Sequence, residues 1–234
     1  MKKVLASDGI EAAAAQKLES LGFEVEQKFD EPDALAEAVK NCDVLVVRSA
    51  TKVRAPIIDA AAAAGRLKLI IRGGVGVDNI DVAYATEKGI KVTNTPAASS
   101  PSVAELALAH MFALARKVYI ANVTMRAGKW EKKKYEGTEL AGKTLGLIGF
   151  GRIGYSLATK AKALGMDVVY TDILGPRPGA EAFTFASQGE VLAKADFLSL
   201  HIPNSEKPVL GAAEIASMKD GAYIINTARG NLVD

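Results

Sequence analysis

The hexad Gly149-Phe150-Gly151-Arg152-Ile153-Gly154 stands directly after the apolar run Leu145 to Ile148 and before Arg152 to Leu164, a stretch of helical spacing. A GxGxxG between a strand and a helix has the makings of a phosphate cradle. Gly149 permits the tight turn, Gly151 lets the backbone approach a pyrophosphate, and Gly154 packs helix on strand, while unpaired amides at the helix start face the anion. The next strand ends at Thr171-Asp172, where a carboxylate accepts hydrogen bonds from both ribose hydroxyls and repels a 2'-phosphate. The set points to NAD rather than NADP. Two alternatives remain at this level: a bare glycine-rich turn, and a methyltransferase, which also carries an acid after its second strand. Arg177 lies near enough to Asp172 in sequence for a minor role at a 2'-phosphate, although a solvated loop arginine is the simpler reading.

Three arginines, Arg48, Arg72 and Arg229, each follow an apolar strand-like run, at the strand ends where open parallel sheets bind ligands. A guanidinium offers forked donors to carboxylate or phosphate, and the glycines after Arg72, Gly73 and Gly74, expose amides as an anion nest. From spacing alone, a surface arginine at a strand end is an equal alternative. Metal binding has no support: one cysteine, Cys42, and two histidines, His110 and His201, form no ligand cluster.

The elements needed to hold these groups are legible. Val4 to Ala6, Phe23 to Glu26, Val44 to Val47, Leu67 to Ile71 and Ile90 to Thr93 read as strands, with helices over Ile10 to Leu21, Ala34 to Val39 and Pro56 to Ala64. After the turn signals of Asn94 to Pro101, one long helix is expected from Pro101 to about Ala127, apolar on more than one face and so buried on several sides, with His110 a core residue. A second alternating series begins at Thr144, with later strands at Phe197 to Leu200 and Tyr223 to Asn226. Strands alternating with helices imply parallel sheets covered on both faces. The fold class is α/β: two doubly wound parallel-sheet domains, residues 1–97 and 98–234, the second a Rossmann-type dinucleotide-binding domain.

The 234 residues carry 29 Lys and Arg against 27 Asp and Glu, a formal charge of +2, so no electrostatic footprint for nucleic acid or a membrane surface exists. No signal peptide or membrane span is read. With its single cysteine, the chain is expected to be cytoplasmic.

Arg48-Ser49-Ala50-Thr51-Lys52, Arg72 to Asn79, Asn94-Thr95-Pro96, Gly128-Lys129-Trp130-Glu131 through Gly137 to Leu140, and Asn226 to Gly230 together resemble the D-isomer-specific 2-hydroxyacid dehydrogenases over essentially the whole chain. The stretch around Trp130 is most similar to the branch that oxidises 3-phosphoglycerate to 3-phosphohydroxypyruvate with NAD, the first step of the phosphorylated route to serine. The resemblance implies a substrate-binding lid domain followed by an NAD-binding domain. It assigns the substrate anions to Arg48, Ser49, Arg72, Gly73 and Gly74, and the catalytic role to Arg229, which binds the carboxylate and the α-oxygen. It implies that Arg152 and Ile153 meet the pyrophosphate and Asp172 the adenine ribose. His201, Ile202 and Pro203 then line the adenosine end, and Val75, Thr227 and Ala228 approach the nicotinamide. Some relatives have threonine at Val75 and Ile202, so only backbone and packing roles carry over there.

The same resemblance implies dimerisation through the helix from Pro101 and the Trp130 segment, where Arg126 and Lys132 to Lys134 either reach a neighbouring site's phosphate or solvate the loop. Trp130 is read as an interface residue or as an intramolecular anchor. Family members need a catalytic histidine and a glutamate lying downstream of the arginine motif; neither is present here. The expectation is therefore a fragment, C-terminally incomplete and inactive by itself. Two other readings stand beside it: a glyoxylate/hydroxypyruvate or lactate type of D-2-hydroxyacid dehydrogenase, and a catalytically silent NAD(H)-binding regulator.

Overall fold

Short apolar runs alternate with helices from the first residues onward, and in the computed structural model, which describes residues 1–234, they build two separate parallel sheets. The chain divides into two units, Met1–Ser99 and Ser100–Asp234. The division falls two residues later than the 97/98 boundary read from the turn signals. Thr95 N–H donates to the Gly74 carbonyl and Ala98 N–H to Thr95, which keeps the whole turn with the first sheet.

The first unit runs β1 (Lys2–Ala6), α1 (Ala12–Ser20), β2 (Phe23–Gln27), α2 (Pro32–Ala38), β3 (Val44–Val47), α3 (Ala55–Ala64), β4 (Leu69–Arg72), α4 (Val82–Glu87) and β5 (Lys91–Asn94). All strands are parallel, in the order β2-β1-β3-β4-β5, so the order reverses between β1 and β3. Leu5, Leu45, Val47, Ile57, Ile58 and Ile70 close the core. Pro32 and Pro56 sit in the first turns of their helices, where a missing N–H costs nothing. Hydropathy spacing gave no helix between Gly76 and Ile90. Yet α4 forms, because the Asp81 side chain caps it by accepting Tyr84 N–H at 3.1 Å and Ala85 is buried beneath it.

The second unit runs α5 (Ser100–Ala115), α6 (Val118–Arg126), β6 (Thr144–Ile148), α7 (Arg152–Ala163), β7 (Asp167–Thr171), β8 (Thr184–Phe185), α8 (Gln188–Lys194), β9 (Phe197–Leu200), α9 (Ala212–Ala216) and β10 (Tyr223–Asn226). Its strand order is β10-β9-β6-β7-β8, all parallel, reversing between β6 and β9. The strands are buried as near-continuous apolar runs, Leu145 to Ile148 and Phe197 to Leu200 among them. The two-residue β8 is too short to show a periodicity and was not expected.

The single helix expected from Pro101 is two. Lys117 adopts a left-handed conformation, φ 52°, and the carbonyl of Ala115 accepts the N–H of Thr138 at 2.9 Å. The returning Gly137 passes so close that a side chain there would strike that carbonyl. Nor is the helix buried on several sides. Ala104, Ala107, Met111 and Ala115 face the core next to α7, whereas Leu106, Leu114, Val118, Ile120, Val123 and Met125 are exposed. His110 is exposed as well, not a core residue. Trp130 is 77% exposed and anchors nothing within the chain.

Candidate functional site

Each unit carries one cluster of site residues at the C-terminal ends of its parallel strands. In the second unit, Gly149 leaves β6 with φ +91°, a conformation that side chains disfavour. A Cβ on it would also lie 2.6 Å from the His201 carbonyl oxygen and from Ile202, so the loop after β9 presses directly on the turn. Gly154 meets the carbonyl of Gly149 so closely that no side chain fits, which seats α7 on β6. Gly151 differs: a Cβ there meets nothing within 4 Å. It is the N-cap of α7 and supplies no side-chain cap, so the first amides of that helix, those of Arg152 and Ile153, have no acceptor within it.

Asp172 lies just beyond β7 and reaches the turn. Its Oδ2 accepts Phe150 N–H at 2.7 Å and its Oδ1 accepts Leu174 N–H at 2.9 Å. Each oxygen keeps a second lone pair for a diol. A cleft of about 400 Å3 opens there, lined by Gly151, Arg152, Asp172, Pro176 and Arg177 among others. Arg177 is not a solvated loop arginine: its Nη1 donates to the carbonyls of Phe150 and Gly151. Its fixed position had no sequence signal, since it depends on where the turn comes to lie.

At β9, Ser199 Oγ and His201 Nε2 share a hydrogen bond of 3.0 Å, and burial pushes the His201 imidazole down to about 4, so the ring is neutral near pH 7. Ile202 follows it against the glycine turn, and Pro203 comes next, exposed. At β10, Asn226 organises the arginine motif: its Oδ1 accepts Ala228 N–H at 3.0 Å and its Nδ2 donates to the Arg229 carbonyl at 2.7 Å. Arg229 Nη1 donates to the Ala228 carbonyl at 2.9 Å, and the Thr227 hydroxyl is buried with no partner. The open space above Gly151, the free helix amides and the orphaned Thr227 hydroxyl, all at the C-terminal ends of β6 and β10, fit a dinucleotide lying across the point where the strand order reverses.

In the first unit the reversal point is already filled. Asp8, just after β1, accepts the N–H of Arg48 at 2.6 Å, the N–H of Thr51 at 3.1 Å and the Thr51 hydroxyl at 2.6 Å. Burial acts to raise the Asp8 pKa, but the Thr51 hydroxyl and the amides of Thr51, Arg48 and Ala50 outweigh it and hold the carboxyl below its ordinary range. Asn79 grips the other side of this loop, donating to the carbonyls of Arg48 at 2.8 Å and Thr51 at 2.7 Å. The Arg48 side chain is thereby presented outward with its guanidinium unpaired, and Ser49 is exposed beside it.

The loop after β4 differs from expectation in two respects. The Arg72 guanidinium folds back over Gly74, occupying the space a Cβ would need, and donates to the Gly73 carbonyl at 3.2 Å. Its Nη1 thereby braces its own loop, while its Nε is buried with no partner. The amides of Gly73 and Gly74 are also spent, on Val47 O at 2.8 Å and Arg72 O at 2.9 Å. The free amides of this nest belong to the next two residues, Val75 and Gly76, whose loop is fixed from behind by Asn94 Nδ2 on the Val75 carbonyl at 2.6 Å. Spacing located the nest but could not say which amides the turn consumes.

Comparison with known proteins identifies the family. Residues 108–234 match the family of the D-isomer specific 2-hydroxyacid dehydrogenase, NAD binding domain. The chain is 46% identical over 235 residues to hydroxypyruvate reductase of Thermotoga maritima, covering 99% of this chain and 76% of that protein. It is 45% identical over 240 residues to D-3-phosphoglycerate dehydrogenase of Methanocaldococcus jannaschii, covering 100% of this chain and 45% of that one. The crystal structure of a glyoxylate reductase from Paecilomyes thermophila superposes with a TM-score of 0.88 at 30% identity, covering 100% of this chain and 75% of the other. The chain therefore spans about three quarters of the reductase relatives and less than half of the phosphoglycerate dehydrogenase. With a Rossmann-type second unit whose glycine turn, acid and arginine motif fall in that order, this chain belongs to the NAD-dependent D-isomer-specific 2-hydroxyacid dehydrogenases.

Proposed function

We propose that this chain carries the substrate- and NAD-binding units of an enzyme that oxidises 3-phosphoglycerate to 3-phosphohydroxypyruvate at the head of phosphorylated serine synthesis. The observation that carries the reading is Arg48: an exposed, unpaired guanidinium on a loop that Asp8 and Asn79 fix from both sides. The backbone that carries it is fixed, and its donors are uncommitted and can take a phosphate. The free amides of Val75 and Gly76 receive the substrate carboxylate, with Arg72 holding the loop that presents them. Arg229 engages the carboxylate and the α-oxygen, polarising the carbon that gives or takes hydride.

NAD, when bound, accepts that hydride. Arg152 and Ile153 hold its pyrophosphate through their amides, Asp172 its adenine ribose, and His201, Ile202 and Pro203 the adenosine end. The nicotinamide is assigned to Thr227 and Ala228 and, by the resemblance, to Val75. The hydroxyl proton needs a base, and neither histidine of this chain suits the role: His110 is on the exposed face of α5, and His201 is made a weak base by burial and has its Nε2 bonded to Ser199. These residues by themselves accordingly turn over poorly. Lid and dinucleotide roles fall to the first and second units, in a cytoplasmic homodimer formed through the exposed apolar face of α5 and α6.

A second reading is favoured by the 46% identity to a hydroxypyruvate reductase: reduction of hydroxypyruvate or glyoxylate, with Arg48 serving a carboxylate. The two separate on phosphate. Steady-state assays of the full-length enzyme with 3-phosphoglycerate, hydroxypyruvate and glyoxylate decide between them; the first reading requires 3-phosphoglycerate to have the highest kcat/KM and Arg48→Ala to raise its KM most. Turnover of the unphosphorylated acids alone overturns it.

A further inference from the structure

The loop that follows β7 sends two charged groups back to the glycine turn. Asp172 takes the N–H of Phe150 at 2.7 Å, and Arg177 Nη1 donates to the carbonyls of Phe150 at 3.1 Å and Gly151 at 3.0 Å. The residue between the first two glycines is thus gripped at its amide by a carboxylate and at its carbonyl by a guanidinium. Its ring cannot swing away. Phe150 is stacked on Tyr170 with centroids 3.6 Å apart and meets Tyr155 and Phe183 edge-on at 5.9 and 5.7 Å.

Arg177 is itself fixed at two points. Its guanidinium lies over the Tyr155 ring, 4.3 Å from the centroid, and its own N–H donates to the Tyr170 hydroxyl at 3.0 Å. Tyr155 belongs to α7 and Tyr170 to β7, the two elements the turn must keep in register. Carbonyl oxygens beside a pyrophosphate would repel it. A guanidinium bonded to both of these carbonyls draws their negative charge away from the anion and fixes the two peptide planes.

We propose that Arg177 is a positioning residue for the dinucleotide: it holds the Phe150–Gly151 peptides in the orientation that exposes the α7 amides, and acts on pyrophosphate through them. This rests on reading the turn as the dinucleotide cradle. Nη1 is committed to the two carbonyls, so a role at a 2'-phosphate would fall to Nε and Nη2, and the NADPH titration below separates the two roles.

The test is titration of the purified protein with NADH and, separately, NADPH, followed by nicotinamide fluorescence, for the unaltered chain and for Arg177→Ala, Arg177→Lys and Tyr155→Leu, each with a thermal melt. The expected result is a loss of about tenfold or more in affinity for both nucleotides in Arg177→Ala. Arg177→Lys, which keeps the charge but not the fork, recovers part of it, and Tyr155→Leu, which removes only the platform, loses less. Should Arg177→Ala unfold, the last two variants carry the comparison. NADH affinity held within twofold in all folded variants overturns the proposal, as does a fall for NADPH alone, which makes Arg177 a 2'-phosphate receptor. Failure of the unaltered chain to bind either nucleotide overturns the cradle reading instead.

Discussion

The Asp8 carboxylate accepts the Thr51 hydroxyl at 2.6 Å although 43 residues separate them, and this bond joins the ends of β1 and β3 where the strand order of the first unit reverses. In the second unit the equivalent point is open and lined by glycine; in the first it is plugged by a carboxylate of the chain itself. Asp8→Ala removes an acceptor shared by several donors and is expected to cost about 2 kcal/mol or more of first-unit stability in urea melts. Because the folded-state pKa is lowered, this stabilisation is full above the ordinary carboxylate range and is lost as the pH falls through the depressed value. The wild type should therefore keep its advantage over Asp8→Asn near neutrality and lose it as the pH falls below the ordinary carboxylate range. Equal stability of the two near pH 7 would show that the clamp contributes nothing.

Gly151 and Gly154 separate binding from folding. Gly151 has φ −70° and open space at its Cβ position, so Gly151→Ala should melt within about 0.5 kcal/mol of the unaltered chain. It should nevertheless bind NADH at least about tenfold more weakly, since the methyl occupies the pyrophosphate's place. Gly154→Ala has no room against the Gly149 carbonyl and should cost about 1–3 kcal/mol of stability. Calorimetric melts and NADH titrations of both variants check the pair; unchanged NADH affinity in Gly151→Ala contradicts it.

His201 sets a pH window. Its pKa falls from 6.5 to about 4 on folding because the ring is buried. Between those values the unfolded chain holds a proton that the folded chain does not, so stability must decline as the pH is lowered from 6.5 toward 4. Chemical denaturation at pH 7 and pH 5 should show the decline, and His201→Gln should flatten it. A slope that persists unchanged in the variant assigns the effect elsewhere.

Arg229 is held by the Asn226 side chain from both sides of the Ala228 peptide. In a dehydrogenase assay, Arg229→Lys should lower kcat/KM about a hundredfold by losing the planar fork. Asn226→Ala, which leaves the arginine but frees its turn, should have a smaller effect. Comparable losses would mean that position matters as much as the guanidinium.

The exposed apolar row Leu106, Val118, Ile120 and Val123 on α5 and α6 is the surface on which self-association is expected. Leu106→Glu with Val123→Glu should convert a dimer to monomers in sedimentation velocity without changing the melt of the second unit. A monomeric unaltered protein removes this role from the face.

The sequence by itself determined the class of fold, both parallel sheets, the glycine turn with its following acid, and the arginine at the end of the last strand. Those features are local: apolar runs bounded by glycine and proline, and a hexad whose function needs no distant partner. Tertiary structure decided everything that depends on which groups are consumed by folding. It broke the long helix at Lys117, where the N–H of Thr138 takes the Ala115 carbonyl. It used up the amides of Gly73 and Gly74 and left those of Val75 and Gly76. It turned Arg72 inward, left Arg48 free, drew Asp8 and Arg177 into the sites from loops that carry no motif, and set Asn79, at the end of the Arg72 to Asn79 segment, to brace the Arg48 loop. The physical reason is common to all of these: a donor or acceptor serves a ligand only if the chain does not bond it first, and that depends on contacts between segments far apart in sequence.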